Sequence, residues 1–243
     1  DWKATRRTGK PYIRVYNEER DRNVWIVVSQ MNSMFYGSKE RMKSVSAAHT
    51  AALMAFKALE MSDRVGAVVY NNEEMKFYKA SSSKKNIVQI MTEIKRQNHL
   101  LSAENRDNTK GNLAESLKII STLVKHDDLV VLIGDGRALD EETAKHITRI
   151  NVHNDVIGVL VYDPMEEEIM KSSSLFFTDG MDTVDVDSSD KQFIQKYAER
   201  LSGRKENFRR LSRKNALPIV SISTEYPVLD QLYEQLSLNR GNN

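Results

Sequence analysis

The feature that most constrains the fold is a continuous run of apolar residues near the start of the chain. Residues 24–28 (Val-Trp-Ile-Val-Val) stand together and give way to the polar segment 29–33. A short run that is rich in β-branched residues is typical of a strand buried on both faces of a parallel sheet. Because ligands of open α/β sheets bind beyond the carboxyl ends of the strands, the segment after this run is the first candidate for a functional site.

Helices and strands alternate along the rest of the chain. Helical periodicity is found in six segments, at residues 38–61, 84–97, 113–124, 141–153, 190–215 and 227–236. Further strands are predicted at 64–70, 74–79, 129–133, 156–161 and 218–223, with a short hairpin over 175–186. This alternation predicts an α/β fold, a doubly wound and mainly parallel sheet with helices on both faces in a Rossmann-like three-layer arrangement. Ser38 is the predicted N-cap of the first of these helices.

The domain organisation follows from the lack of any repeat or internal linker. We predict an N-terminal arm at residues 1–22, one compact domain at 23–238 and a loose tail at 239–243. The chain begins at Asp1 rather than at an initiator methionine, so we expect a fragment of a longer protein.

The composition argues against several classes of protein. The 36 basic and 34 acidic residues leave a formal charge of +2, which argues against a dedicated nucleic-acid binder. Cysteine is absent, which excludes disulfides, thiolate metal sites and cysteine nucleophiles. No apolar run approaches the roughly 20 residues that span a bilayer, and no signal peptide is evident. We therefore expect a cytoplasmic protein, with no nucleic-acid partner and no membrane contact in this segment.

Hydroxyl and carboxylate side chains are expected to meet at one edge of the sheet. Ser29, Asn32 and Ser33 follow the first strand, Asp135 follows a later one, and Thr109 lies in a loop that reaches the same edge. Oxygen ligands of this kind suit a hard divalent cation such as Mg²⁺. The alternative is that Ser29, Ser33 and Asp135 only hydrogen-bond the backbone of these loops.

Short motifs spread along the chain carry a family resemblance. They are residues 1–5 (Asp-Trp-Lys-Ala-Thr), 9–11 (Gly-Lys-Pro), 18–22 (Glu-Glu-Arg-Asp-Arg), 153–156 (His-Asn-Asp-Val), 162–164 (Tyr-Asp-Pro) and 179–180 (Asp-Gly). Together with the predicted helix at 190–215, which is rich in lysine and arginine, they resemble the bacterial "domain of unknown function 58" family over essentially the whole chain. That family is similar to von Willebrand factor type A domains, and its members are commonly encoded beside MoxR-type AAA+ ATPases. The resemblance implies a non-enzymatic module that binds such an ATPase, or its client, during assembly or maturation of other proteins.

The resemblance also implies a site. Type A domains typically carry a metal-ion-dependent adhesion site, Asp-x-Ser-x-Ser, completed by a Thr and an Asp from later loops. On residues 29–33 of this chain Ser33 matches, whereas Ser29 replaces the Asp and Met31 replaces the first Ser. Asp135 matches the later Asp. Thr109 is the candidate Thr, although residues 111–113 (Gly-Asn-Leu) depart from the Gly-Thr-x-Leu pattern.

These departures weaken the expected metal site. Losing one carboxylate and one hydroxyl should lower divalent-cation affinity steeply, because ligand charge is a main determinant of that affinity. We predict a degenerate site at Ser29, Ser33, Thr109 and Asp135 that binds Mg²⁺ weakly or not at all, and no other cofactor. Partner recognition would then rest on a rim of five residues: Gln30, Met31, Asn32, Met34 and Gly136.

An enzyme on the same kind of sheet is the alternative, since a fold does not fix a function. Ser29 or Ser33 with a histidine and Asp135 would compose a hydrolase triad, but the chain has no Gly-x-Ser-x-Gly elbow and no Walker A motif. Nucleotide binding by the isolated chain would distinguish a nucleotide-binding enzyme from an interaction module.

Overall fold

Six strands form one mixed sheet with helices on both faces. The computed structural model describes residues 21–102, 112–168, 175–178, 183–186, 210, 213–214 and 217–238. In chain order the strands are β1 (Asn23–Ser29), β2 (Arg64–Tyr70), β3 (Met75–Ser81), β4 (Leu129–Gly134), β5 (Asp155–Tyr162), β6 (Leu175–Thr178), β7 (Thr183–Val186) and β8 (Ile219–Ser223). The helices are α1 (Lys43–Glu60), α2 (Lys84–Asn98), α3 (Asn112–Leu123), α4 (Glu141–Asn151), α5 (Met165–Glu168) and α6 (Val228–Leu238), with a 3₁₀ turn at Asn32–Met34.

The strand order β3-β2-β1-β4-β5-β8 places β1 near the centre of the sheet. Ile26 of β1 pairs with Ala67 of β2 on one side and with Val131 of β4 on the other, and both pairings are parallel. Within the described six-stranded sheet, the edge strand β3 alone runs antiparallel, as the partner of β2. The predicted α/β class and the mainly parallel sheet are therefore confirmed.

Two separate cores form because successive side chains of a strand point to opposite faces. Ile26 and Val28 join α1, α2 and α6 on one face of the sheet. Trp25 and Val27 join α3 and α4 on the other face. All four β1 side chains are almost fully buried, as the unbroken apolar run predicts.

The prediction that Ser38 caps the first helix is wrong. Helix α1 begins at Lys43, and Met42 occupies the N-cap position without a side-chain hydrogen bond. Ser38 instead bonds Asp163 at the end of β5, through its N–H (2.8 Å) and its hydroxyl (2.7 Å). The loop between β1 and α1 is therefore held by a residue that lies 125 positions later in the chain.

Most other predicted elements lie where the sequence places them, within two residues at each end. They are strands β2 to β5 and β8, helices α2, α3, α4 and α6, and the β6–β7 hairpin. Residues 1–20 of the predicted arm (1–22), the tail at 239–243 and nearly all of the predicted helix at 190–215 lie outside the described residues. Within the described part of the chain, no helix combines the length and apolarity needed to cross a bilayer.

Gly66 of β2 offers a direct test of the packing around Trp25. A Cβ at Gly66 would lie 2.5 Å from Cζ3 of Trp25, whose ring also stacks on Phe77. We expect Gly66→Ala to lower the free energy of unfolding by about 1–3 kcal/mol through overpacking. Urea denaturation followed by tryptophan fluorescence measures this effect. Gly134→Ala is the matched control, because a Cβ there meets only Cβ of Ser29 at 3.4 Å, an ordinary contact. Equal effects of the two substitutions would contradict the prediction.

Candidate functional site

A fully buried lysine lies at the carboxyl end of the sheet. Lys43, the first residue of α1, has no solvent exposure. Its ammonium Nζ donates to Oε1 of Glu166 at 2.7 Å and to Oδ2 of Asp135 at 3.3 Å. Both carboxylates are themselves buried: 4% of Glu166 and 8% of Asp135 is exposed. A buried lysine of this kind requires charged partners, since an unpaired ammonium in the interior is costly.

Arg137 adds a second cation to this group. Its Nε lies 3.2 Å from Oδ2 of Asp135, and its Nη2 lies 3.8 Å from Oε1 of Glu166. The backbone N–H of Arg137 also donates to Oδ1 of Asp135 at 3.1 Å. We call Lys43, Asp135, Arg137 and Glu166 the apex cluster. It contains two positive and two negative charges, and only the side chain of Arg137 is substantially exposed, at 26%.

The residues assigned to the degenerate metal site lie in different surroundings. Ser29 is buried at the end of β1, where its Oγ accepts from the N–H of Met31 at 3.4 Å. Ser33 is also buried, and its Oγ has no hydrogen-bond partner among the described residues. Asp135 belongs to the apex cluster. Thr109 lies outside the described residues, so its place in the site stays a prediction.

Tyr70, at the end of β2, lies beside Ser29. Burial raises the pKa of its phenol well above the usual range, a hydrogen bond with Ser29 lowers it in part, and the nearby Asp135 carboxylate raises it further. Tyr70 therefore remains a neutral phenol at any physiological pH.

Three of the five predicted rim residues are not available to a partner. Gln30, Met31 and Met34 are buried, with at most 3% of each residue exposed. The amide of Gln30 donates to the carbonyl of Ser44 at 3.2 Å and accepts from Asn98 at 3.0 Å, which fixes it between α1 and α2. The prediction that these three side chains form an exposed rim is corrected, because the loop folds back onto the core. The other two, Asn32 and Gly136, are half-buried and lie at the surface.

The donor set around Asp135 fits an ammonium ion better than a divalent cation. One carboxylate oxygen contacts Lys43, the other accepts from the backbone of Arg137, and Met31 contributes a thioether that hard cations ignore. Among the described residues, no group of three His, Cys, Asp or Glu is placed to hold a metal ion. A divalent cation at Asp135 would also have to displace the Lys43 ammonium from a buried ion pair.

Asp163 holds together the loops that surround the apex cluster. It is fully buried, and its carboxylate accepts from Ser38, from the N–H of Met165 at 2.9 Å and from the hydroxyl of Thr224 at 2.6 Å. Burial alone would raise the pKa of this carboxyl, but the hydrogen bonds from Thr224 and Ser38 outweigh it and lower the pKa below the usual range. Asp163 therefore ties the segments after β1, β5 and β8 to one charged group.

Sequence reasoning missed Lys43, Arg137 and Glu166, although one signal pointed to the lysine. Lys43 is followed at intervals of four residues by Ala47, Ala51 and Ala55, all buried against the sheet. A charged residue on the buried stripe of a helix indicates an internal ion pair. Nothing in the sequence pattern identifies its partners, because Glu166 lies 123 residues away.

A family model described as "Protein of unknown function DUF58" matches residues 1–207. The chain belongs to this family. The resemblance predicted from the short motifs is thus confirmed. An uncharacterized protein of Mycobacterium tuberculosis is 21% identical over 226 residues, covering 93% of this chain and 69% of the relative. The corresponding uncharacterized protein of Mycobacterium bovis matches to the same extent.

Solved structures with a similar fold share little sequence with this chain. BatB from Bacteroides thetaiotaomicron has a TM-score of 0.49 at 9% identity and covers 90% of this chain and 98% of its own. The von Willebrand factor A domain of SpRpn10 has a TM-score of 0.45 at 9% identity, and the match covers 88% of this chain and 94% of that domain's chain. A von Willebrand factor type A protein from Catenulispora acidiphila has a TM-score of 0.41 at 12% identity, and the match covers 74% of this chain and 43% of that protein's chain.

Proposed function

We propose that this chain is a non-enzymatic protein-interaction module whose adhesion-type site works without a metal ion. The observation that supports the proposal is the buried ion pair of Lys43 with Asp135 and Glu166. The carboxylate that would bind the metal in an intact adhesion site is already neutralised by a cation of the chain itself. Mg²⁺ would therefore have to remove a buried positive charge before it could bind.

The partner surface that we propose is the accessible top of this site. It comprises the exposed part of Arg137, the half-buried Asn32 and Gly136, and the exposed loop residues Lys39 and Glu40. Because the cluster beneath this surface has balanced charge, binding would rest on shape and hydrogen bonds rather than on a bridging metal. From the family resemblance, we propose a MoxR-type AAA+ ATPase or its client as the partner, in protein complex assembly or maturation in the cytoplasm. The ATPase, rather than this chain, would bind the nucleotide.

The proposal is tested by capture of the MoxR-type ATPase encoded in the same genome. We expect equal capture in Mg²⁺ and in EDTA, and no saturable heat when MgCl₂ or MnCl₂ is titrated into the purified chain by calorimetry. Arg137→Ala should weaken capture at least tenfold, because it alters the accessible top of the site. Arg64→Ala is the matched control, since Arg64 is exposed at the start of β2, on the opposite end of the sheet.

Two results would contradict the proposal. Saturable Mg²⁺ binding, with capture lost in EDTA, would indicate that the site still depends on metal. Saturable binding of ATP by the isolated chain would favour the nucleotide-binding alternative. Circular dichroism of Arg137→Ala is needed alongside, because loss of capture by an unfolded variant says nothing about the surface.

A further inference from the structure

The outer edge of β8 is covered by two side-chain amides instead of by a strand. Among the described strands β8 pairs with β5 alone, so within this part of the chain one side of its backbone faces outward. The carbonyl of Pro218 accepts from Gly158 at 3.0 Å and the N–H of Thr224 donates to Tyr162 at 3.1 Å, both on the β5 side. Because backbone direction alternates along a strand, Ser221 and Ser223 direct their N–H and C=O groups to the outer edge.

Gln235 and Gln231 of α6 pair with these outward groups in the manner of a neighbouring strand. Oε1 of Gln235 accepts from the N–H of Ser221 at 2.8 Å, and its Nε2 donates to the carbonyl of Ser221 at 2.6 Å. Gln231 makes the same two contacts with Ser223, at 2.8 Å and 3.0 Å. Two glutamines four residues apart on one helix face thus satisfy four backbone groups on the edge of the sheet.

The sequence of β8 explains why this edge requires cover. Its residues are Ile-Val-Ser-Ile-Ser, without charge, proline or glycine, a composition that favours pairing with another strand. The opposite edge strand, β3, carries the exposed lysines Lys76 and Lys79, whose charges discourage such pairing. A groove of about 510 Å³ runs beside the β8 edge, lined by Ser221, Ser223 and both glutamines among other residues. An extended segment therefore has room to approach once the amides are gone.

We propose that the outer edge of β8 is a strand-docking surface that Gln231 and Gln235 hold closed, and that the strand it fits is β8 of a second copy of this chain. In an antiparallel pair centred on Ile222, Ser221 of one copy lies opposite Ser223 of the other. Each such pair exchanges two N–H···O bonds, so the two copies form four bonds between them. Within one chain the two glutamines already supply four bonds, which keeps the edge closed and the chain monomeric.

The test compares the wild-type chain with Gln231→Ala/Gln235→Ala by size-exclusion chromatography with light scattering over a wide concentration range. We expect the wild type to remain monomeric and the apparent mass of the double variant to double with concentration. Hydrogen exchange supplies a second readout. The amides of Ser221 and Ser223 should exchange slowly in the wild type, quickly in the dilute variant, and slowly again in its dimer.

A third variant separates strand pairing from non-specific association. Adding Ser221→Pro to the double variant removes one outward N–H, and proline is tolerated where an edge N–H faces solvent. We expect this triple variant to return to the monomer. Gln89→Ala, an exposed glutamine on α2, is the control and should stay monomeric. A double variant that is folded and monomeric at every concentration would overturn the proposal, as would association that Ser221→Pro leaves unchanged. If the double variant does not fold, the single variant Gln235→Ala takes its place: a mass that doubles with concentration and returns to the monomer with Ser221→Pro supports the proposal, and a folded monomer at every concentration overturns it.

Discussion

Lys43→Met is expected to lower the free energy of unfolding by about 3–5 kcal/mol at neutral pH, because removing one partner of a buried ion pair leaves an uncompensated charge. Methionine has nearly the length of lysine, so the packing of α1 should change little. Asp135 and Glu166 would then face each other across the interior with Arg137 as the remaining cation. Urea denaturation at fixed pH measures the difference.

Two further variants serve as controls for Lys43→Met. Lys57 lies on the same helix, and its exposed ion pair with Glu60 should contribute no more than about 0.5 kcal/mol to stability. Lys57→Met should therefore lower the free energy of unfolding by no more than this. Lys43→Met/Glu166→Gln should recover much of the lost stability, because Asp135 and Arg137 then remain as a pair of opposite charge.

Asp163→Ala is expected to cost a similar amount, about 3–5 kcal/mol, since it leaves several donors of Ser38, Met165 and Thr224 without their acceptor. An unsatisfied buried donor costs roughly 1–3 kcal/mol, and partial access of water should limit the sum. Thermal and urea unfolding both measure the effect. Asp230→Asn on the exposed face of α6 is the control and should change stability little.

The pH dependence of the wild type should carry the signature of Asp163. Hydrogen bonds lower the pKa of this carboxyl in the folded state, so its contribution to stability is complete above the unfolded pKa, about 3.9, and declines as the pH falls below that value. Asp163→Asn should remove this part of the acid-induced loss. If Asp163→Asn lost stability with falling pH as steeply as the wild type does, other carboxyl groups would dominate acid unfolding.

The fold was largely predictable because its signals are local. The apolar run of β1 and the helical stripe of Ala47, Ala51 and Ala55 each indicate burial, whichever residues they pack against. Helix α1 was predicted to begin too early because Ser38 is a good capping residue. Its real partner, Asp163, lies far away in sequence, and a distant buried carboxylate leaves no trace in a local pattern.

The site was less predictable for the same reason. Ser29, Ser33 and Asp135 were placed correctly at the carboxyl end of the sheet, which topology alone implies. The apex cluster depends instead on pairings across more than 90 residues, between Lys43, Asp135 and Glu166. The burial of Met31 and Met34 depends on how the loop after β1 folds back, and the motif comparison says nothing about that.

The central position of β1 has a consequence for synthesis on the ribosome. One partner of β1, β2, begins at Arg64, but its other partner, β4, begins at Leu129, 100 residues beyond Ser29. At about 5–20 residues per second, the second edge of β1 stays open for roughly 5–20 s. During that interval an apolar strand edge is available to neighbouring nascent chains. Slowing translation before residue 129 should therefore increase aggregation of the nascent chain.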